Sequence, residues 1–156
     1  LQVEHPVTEM ITGIDLVKLQ FAVAAGDSIP FGQNQIQMHG HAIEARLSAE
    51  NPAKGFLPST GTLRHLRLPG EPARVDAGVR EGDAISPHYD PMIAKLIVHA
   101  ATRDQAIARM IEALEAFEIQ GPRNNITAVL AVLRSEPFRA GRVHTGLISE
   151  VLAKKN

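Results

Sequence analysis

The sequence predicts an α+β fold, in which an antiparallel sheet packs against helices at one side. Two patterns in the 156-residue chain favour it: short alternating apolar and polar runs separated by turn formers in its middle, and apolar residues at helical spacing in its last third. Hydrophobic residues make up 44% of the chain, and 16 Lys and Arg nearly balance 17 Asp and Glu, so we expect a core rather than disorder. The length suits one domain, or one domain with a short extension.

The chain opens on a predicted strand that is followed by a predicted helix. Residues 1–6 alternate apolar and polar side chains, and Pro6 should end the strand because proline has no N–H for the ladder. Thr12 and Asp15 form a helix start signal, and the apolar residues after them predict a helix over about 13–25.

Turn formers at residues 26–35 separate this opening part from the rest of the chain. We therefore place a domain boundary after residue 35. The result is one unit of residues 1–35 and a second unit of residues 36–156, which contains the predicted sheet.

Four strands are predicted in the second unit, over residues 37–49, 62–68, 73–79 and 92–100. A Gly-containing hairpin turn follows the third strand at residues 80–83. The last strand is the most apolar and should be buried. Their short spacing predicts an antiparallel meander.

The C-terminal third is predicted to be helical. Thr102 begins a capping box, and an apolar stripe after it predicts a helix over about 103–118. Asn125 is the expected cap of a second helix, and Thr145 that of a short last helix that reaches residue 152.

Composition excludes several kinds of site and partner. With no Cys there is no disulfide, thiolate metal site or thiol nucleophile, which agrees with a reducing compartment. The longest apolar run, residues 128–133, is far shorter than the ~20 residues of a membrane helix, so we expect a soluble protein. Arg64, His65 and Arg67 form a small basic spot, which we interpret as solvated surface rather than a nucleic-acid site.

Gln2 and Glu4 lie on one face of the first predicted strand, about 7 Å apart at ~3.3 Å per residue. An amide donor beside a carboxylate could hold a small oxyanion acid, with the carboxylate taking its proton as general base. The alternative is an ordinary solvated strand face.

Arg46 shares a predicted strand face with Glu44 and with the small residues Ala42 and Ser48. A permanently charged guanidinium above small side chains leaves room for a ligand and could stabilise an enolate or carboxylate oxygen. A cross-strand ion pair is the alternative.

His39 and His41 lie on one strand face, and His5 could complete a metal site with them. We favour histidines at the edge of the core, because neither Cys nor paired carboxylates complete a ligand set. Asp90 precedes a buried strand, where it could orient Arg46 or, as we favour, cap a turn.

Several segments resemble biotin carboxylases in the order that the family has them. The opening LQVEHPVTE and the following TGIDLV resemble the segment that closes the family's ATP-grasp domain. The matches to the C-terminal domain are GHAIEARL at 40–47, AE at 49–50, FLPS at 56–59 with Gly61, and YDPMIAKLI at 89–97.

The resemblance covers essentially the whole chain. It implies the end of an ATP-grasp domain over residues 1–35, followed by a biotin carboxylase C-terminal domain with a rudiment single hybrid motif over residues 36–156. Residues 75–83 also resemble the α subunits of acyl-CoA carboxylases of the methylcrotonoyl-, propionyl- and acetyl-CoA type.

The resemblance implies a reaction in which ATP and bicarbonate form carboxyphosphate and N1 of carrier-bound biotin is carboxylated. By motif position, Gln2 and the Val3 backbone N–H would bind bicarbonate, and Glu4 would deprotonate it. Arg46 would bind biotin and stabilise its enolate oxygen, and Leu147 would contact the adenine of ATP.

In the family, a catalytic Arg comes directly before the residue that matches Leu1, and a metal-binding Glu and Asn come a few residues earlier. We therefore expect this chain to be a fragment that is inactive by itself. The implied cofactors are biotin on a carrier domain, ATP, and Mg²⁺ or Mn²⁺, bound mainly by the rest of the subunit.

The implied partners are a biotin carboxyl carrier domain, a carboxyltransferase subunit and a second copy of the subunit, without nucleic acid or membrane. The location would be cytoplasmic in a bacterium and the mitochondrial matrix in a eukaryote. Two alternatives stay open: the same domain of a pyruvate carboxylase, or a structural role in dimerisation through the loop at residues 70–74.

Overall fold

The computed structural model describes residues 1–154. Its centre is a three-stranded antiparallel sheet, in which β8 (Met92–Ala100) lies between β1 (His41–Ser48) and β6 (Arg74–Ala77). β8 is buried on both faces, so the most apolar strand takes the middle position. The α+β class with an antiparallel sheet is confirmed.

The remaining strands form three short two-stranded ladders. They are β2 (Glu50–Asn51) with β3 (Leu57–Pro58), β4 (Gly61–Thr62) with β7 (Ala84–Ile85), and β5 (His65–Arg67) with β9 (Glu118–Gln120).

The predicted meander is wrong, because β1 and β6 both pair with β8 and not with their neighbours in sequence. The turn at residues 80–83 does form, since the Asp83 carboxylate accepts the Arg80 N–H at 2.8 Å. It does not close a hairpin, because β6 and β7 belong to different sheets. Turn residues fix only the local chain direction, whereas burial decides which strands pair.

Six α-helices and two short 3-10 helices, Gln33–Gln35 and Pro52–Lys54, complete the fold within residues 1–154. The α-helices are α1 (His5–Thr12), α2 (Leu16–Ala24), α3 (Arg103–Glu115), α4 (Ile126–Arg134), α5 (Glu136–Arg139) and α6 (Leu147–Ala153). None of them combines the length and apolar character needed to cross a bilayer.

The main core lies between the central sheet and α3. Side chains of β1, β8 and α3 meet there with almost no solvent exposure: Leu47, Leu96, Met110 and Leu114. α1 also contacts β1 and β8. Strand alternation points Arg46 away from the core side chains Ala45 and Leu47, and α1 begins on that other face.

The predicted strand at residues 1–6 is wrong. α1 begins at His5, and Pro6 occupies its first turn, where a missing N–H leaves no hydrogen bond unmade. The predicted helix over about 13–25 is confirmed as α2, although its cap is Asp15, whose carboxylate accepts the Lys18 N–H at 2.8 Å.

Three of the four C-terminal helices, α3, α4 and α6, were predicted, although their bounds and caps differ in part. Thr102 caps α3 as predicted, accepting the Gln105 N–H at 3.3 Å, but α3 ends at Glu115 because the chain then enters β9. Thr145 does not cap α6, whose N-cap position is Gly146. The helix α5 was not predicted; it begins at Glu136, two residues after α4 ends, and Pro137 lies in its first turn, where proline is tolerated.

Candidate functional site

The fold brings Glu4 and Arg46 together. The Arg46 guanidinium donates to the Glu4 carboxylate across 42 residues of sequence, from β1 to the turn that precedes α1. Both side chains are about half exposed, at 49% for Arg46 and 46% for Glu4, so a ligand can reach the pair. The two best candidates of the sequence therefore share one site, although no strand carries Glu4.

The pKa of the Glu4 carboxyl lies below its usual range. The main cause is a hydrogen bond from the Glu4 backbone N–H; burial opposes it, and the hydrogen bond and charge of Arg46 lower the pKa further. Glu4 is therefore a carboxylate at neutral pH, which can accept a hydrogen bond or a proton from a bound ligand.

Lys95 supports this site from the neighbouring strand. It stands directly opposite Arg46 in the β1–β8 ladder, and its side chain is only 13% exposed. The ammonium group donates to the Val3 carbonyl at 3.2 Å and pairs with Asp76 at 3.3 Å. A charged side chain within a buried strand needs polar partners. The presence of Lys95 in the strand predicted at residues 92–100 could therefore have identified it from sequence as a residue with such contacts.

An ion network continues from Asp76 to α1. Arg74 donates to Asp76 at 2.9 Å and to Glu9 of α1 at 2.8 Å. The hydrogen bonds from Arg74 lower the pKa of Asp76, and those to Asp76 and Glu9 raise the pKa of Arg74. Since the Glu9 side chain is only 9% exposed, this pair fixes α1 against the sheet.

Glu44 lies two residues before Arg46 and has different surroundings. Its two carboxylate oxygens are buried and have no hydrogen-bond partner among residues 1–154. Burial raises the pKa of the Glu44 carboxyl, and the charge of Lys95 only partly opposes that effect. Arg46 thus pairs with Glu4 of the turn before α1, and among the described residues neither with Glu44 nor with a carboxylate across the strand ladder, which the alternative of a cross-strand ion pair would require.

Asn125 does not cap α4 with its side chain, contrary to the prediction. The neighbouring Asn124 accepts the Ile126 N–H at 3.2 Å instead. The Asn125 amide donates to the Arg46 carbonyl and accepts from the Ser48 N–H, both at 3.0 Å. Sequence reasoning missed this contact because it spans 79 residues between Asn125 and Arg46.

Three other implied site residues are placed as follows. Gln2 is exposed, and its carbonyl accepts the His5 N–H at 3.3 Å in the turn before α1. Val3 belongs to the same turn, held by Lys95. Leu147 lies elsewhere, 4% exposed, at the wall of a cavity of about 330 Å³ that Val129 also lines. The ligand roles of these three residues stay predictions.

Among the remaining candidates, His39 and Asp90 have structural contacts, whereas both ring nitrogens of His5 are buried without a hydrogen-bond partner among residues 1–154. Among residues 1–154, no three His, Asp or Glu side chains come together around a possible metal position. The His39 carbonyl contacts the His99 ring at 2.8 Å. Asp90 caps a turn, as favoured, by accepting the Met92 N–H at 2.8 Å. In the basic spot, His65 contacts two carboxylates and Arg67 one, so it is a surface ion cluster.

Two family models match the chain. The model described as biotin carboxylase C-terminal domain matches residues 44–150, and the model described as carbamoyl-phosphate synthase L chain, ATP binding domain, matches residues 1–31.

Curated relatives are similar along almost the whole chain. The mitochondrial methylcrotonoyl-CoA carboxylase subunit alpha of Mus musculus is 48% identical over 152 residues, which are 96% of this chain and 21% of that protein. A biotin carboxylase of Halalkalibacterium halodurans is 47% identical over 156 residues, which are 99% of this chain and 34% of that protein. The chain thus spans between a fifth and a third of their length.

Solved structures share the fold. The biotin carboxylase domain dimer of the Hydrogenobacter thermophilus 2-oxoglutarate carboxylase, in complex with MgADP, ADP and bicarbonate, matches 96% of this chain and 33% of that chain with a TM-score of 0.94 and 44% identity. The biotin carboxylase subunit of a pyruvate carboxylase matches 96% of this chain and 34% of that one, with a TM-score of 0.93 and 42% identity.

Proposed function

Since the chain belongs to the biotin carboxylase C-terminal domain family, we propose that it is the C-terminal part of a biotin carboxylase subunit. The intact subunit would be an ATP-dependent ligase that uses ATP and bicarbonate to carboxylate N1 of carrier-bound biotin. The contact between Glu4 and Arg46 supports the proposal, because a carboxylate that could act as a base and a permanent cation meet at one accessible position.

Glu4 would be the general base toward bicarbonate. Its lowered pKa keeps the carboxylate ionised at neutral pH, so it can take the proton of the bicarbonate O–H while the remaining electron pair makes the bicarbonate oxygen nucleophilic. The Gln2 side-chain amide and the Val3 backbone N–H would donate to the other oxygens. Lys95 supports this arrangement because it holds the Val3 carbonyl.

Arg46 would stabilise negative charge on the ureido oxygen of biotin. A guanidinium suits this position because it is always protonated, so it stabilises the charge without losing a proton in the process. The Arg46 guanidinium is partly exposed, so biotin could reach it. It already binds one anionic oxygen, that of the Glu4 carboxylate, so an anionic oxygen fits at this position. Biotin supplies the N1 nucleophile that accepts the carboxyl group.

The nucleotide and its Mg²⁺ or Mn²⁺ would be held mainly by other parts of the subunit. Within residues 1–154 only Leu147 is proposed to contact the adenine, and no carboxylate cluster suited to a metal is present there. The 156-residue chain alone is therefore expected to be inactive.

We further propose the acyl-CoA type of carboxylase, because the mitochondrial methylcrotonoyl-CoA carboxylase alpha subunits are among the most similar relatives. The partners would be a biotin carboxyl carrier domain, a carboxyltransferase subunit and a second biotin carboxylase subunit. The location would be the mitochondrial matrix in a eukaryote or the cytoplasm in a bacterium. A pyruvate carboxylase is the second candidate, since a pyruvate carboxylase subunit of Methanothermobacter thermautotrophicus is 47% identical over 151 residues.

Arg46→Ala in the intact subunit tests the assignment. Biotin carboxylation should fall roughly 10²- to 10³-fold, as when one oxyanion donor is removed, because the cation at the ureido oxygen is lost. Bicarbonate-dependent ATP cleavage should persist, since carboxyphosphate forms before biotin reacts. Both rates are measured under the same conditions, as carboxylated biotin and as ADP.

Arg134→Ala is the matched control, because it removes another half-exposed arginine that pairs with Glu115 far from Glu4 in sequence. Its two rates should stay near those of the unchanged subunit. An equal loss of both activities in Arg46→Ala would contradict the role proposed for Arg46.

A further inference from the structure

The strand that carries Arg46 has one edge outside the main ladder. β1 is an edge strand of the central sheet, paired along one side with β8. The backbone groups of Arg46 and Ser48 that face the other side need separate partners, because an edge strand leaves alternate N–H and C=O groups unpaired.

Asn125 provides those partners. Its side-chain amide donates to the Arg46 carbonyl at 3.0 Å and accepts the Ser48 N–H at 3.0 Å. Its backbone N–H donates to the Ser48 carbonyl at 3.2 Å. One residue thus makes three hydrogen bonds to the outer edge of β1, as a short paired strand would.

These bonds lie where the β8 ladder is irregular. The β1–β8 register runs without a break to Leu47 and then shifts between Leu47 and Ser48. At a bulge the ladder bonds are locally disrupted, so they define the backbone less well. Asn125 spans this position, with one bond on each side of Leu47.

Asn125 is not needed to cap α4. That helix begins at Ile126, whose N–H is taken by Asn124, and Asn125 makes no side-chain cap there. The two adjacent asparagines therefore make different contacts: the Asn124 side chain caps α4, and the Asn125 side chain binds β1, the strand that carries Arg46.

We propose that Asn125 is a positioning residue that fixes the β1 backbone at Arg46 and thereby aims its guanidinium. The inference rests on the function proposed above for Arg46. A displacement of about 1 Å at a group that stabilises charge can reduce turnover as much as 10²-fold, so a backbone contact of this kind has a kinetic effect.

The test compares Asn125→Asp with Asn125→Ala in the intact subunit. The aspartate has nearly the same shape and keeps the acceptor for Ser48, but it cannot donate to the Arg46 carbonyl. Both variants should lose biotin carboxylation roughly 10- to 100-fold, while bicarbonate-dependent ATP cleavage and the KM for ATP stay within about twofold.

Asn124→Ala is the matched control, because it removes the neighbouring asparagine and the local α4 cap without touching β1. A merely structural effect of the segment would lower both activities in all three variants alike, and that result would overturn the inference. So would an Asn125→Asp variant whose biotin carboxylation is unchanged.

A double variant separates this inference from the proposed function. If Asn125 acts through Arg46, Asn125→Ala should cause no further loss of carboxylation in an Arg46→Ala background. If the double variant instead loses carboxylation by the product of the two single losses, the inference is overturned, while the role of Arg46 is unaffected. If Arg46→Ala alone lowers both activities equally, the role proposed for Arg46 fails, and the inference fails with it.

Discussion

At the scale of single residues, Glu4 and Glu44 carry the same group in different surroundings. Hydrogen bonds from its own backbone N–H and from Arg46 lower the pKa of Glu4, whereas burial without a hydrogen-bond donor raises that of Glu44. The environment thus favours the ionised form of Glu4, which the proposed role as a base requires, and the protonated form of Glu44.

Glu44→Gln should make the 156-residue chain more stable at neutral pH. A carboxyl group whose pKa is raised in the folded state supports folding below its unfolded pKa, and that support is lost as the pH rises through the folded value. Above that range the variant should gain about 1 kcal/mol, or roughly 2–4 °C in melting temperature. Thermal unfolding between pH 4 and 8 measures the difference in melting temperature between the variant and the unchanged chain. The lowest pH lies slightly below the usual Glu pKa of about 4.3, so the difference should be smallest there.

Glu115→Gln is the control for this prediction, since Glu115 is about half exposed and makes a surface ion pair with Arg134. It should change the melting temperature little at any of these pH values. A Glu44→Gln variant less stable than the unchanged chain at neutral pH would mean that the Glu44 carboxylate has a favourable partner.

At the scale of elements, the sequence pattern predicted the buried strand β8 and the helix α3, but it did not predict α1, whose structure depends on contacts with distant residues. The nine residues of β8 were predicted from their nearly continuous apolar character, and α3 from an apolar stripe at helical spacing. Residues 1–6 alternate as a strand would, yet Pro6 stands at a helix start. A proline fits the edge of a strand and the first turn of a helix, so only the packing of α1 on the sheet decides.

Gly121→Ala should be strongly destabilising. Gly121 follows β9 with φ at +132°, and a Cβ atom there would lie 2.1 Å from the Thr62 carbonyl oxygen. The strain and the clash together should lower the free energy of unfolding by about 2 to 4 kcal/mol. Urea unfolding of the 156-residue chain measures this loss.

Gly78→Ala is the matched control, because no atom lies within 4 Å of a Cβ at that position and its φ is outside the left-handed range. Its stability should stay within about 0.5 kcal/mol of the unchanged chain. Equal stability of the two variants would show that the turn after β9 can move away from Thr62.

At the scale of the whole molecule, the site is made by two segments that different family models match. Glu4 lies in the segment 1–31 and Arg46 in the segment 44–150. The contact from Lys95 to the Val3 carbonyl and the ion pair between Arg74 and Glu9 hold the first segment on the sheet of the second. The fold therefore creates the site by joining the segments.

The sequence identified Glu4 and Arg46 separately, because a carboxylate beside an amide and a cation among small residues are local patterns. It could not predict that they form an ion pair, since no periodicity relates residues 42 positions apart. The contact that Asn125 makes with the Arg46 carbonyl was missed for the same reason, whereas the charge of Lys95 within a buried strand was a local signal that could have been used.

The central claim is that Glu4 and Arg46 belong to a site of biotin carboxylation. The most direct test is an assay of the intact subunit with labelled bicarbonate. Transfer of the label to biotin and release of ADP are measured together for Glu4→Gln and for Glu115→Gln, which changes a half-exposed carboxylate distant in sequence. The account predicts that Glu4→Gln loses both by roughly 10²- to 10⁴-fold, because the base acts before carboxyphosphate forms, and that Glu115→Gln loses neither. Label transfer at the normal rate in Glu4→Gln would contradict the account.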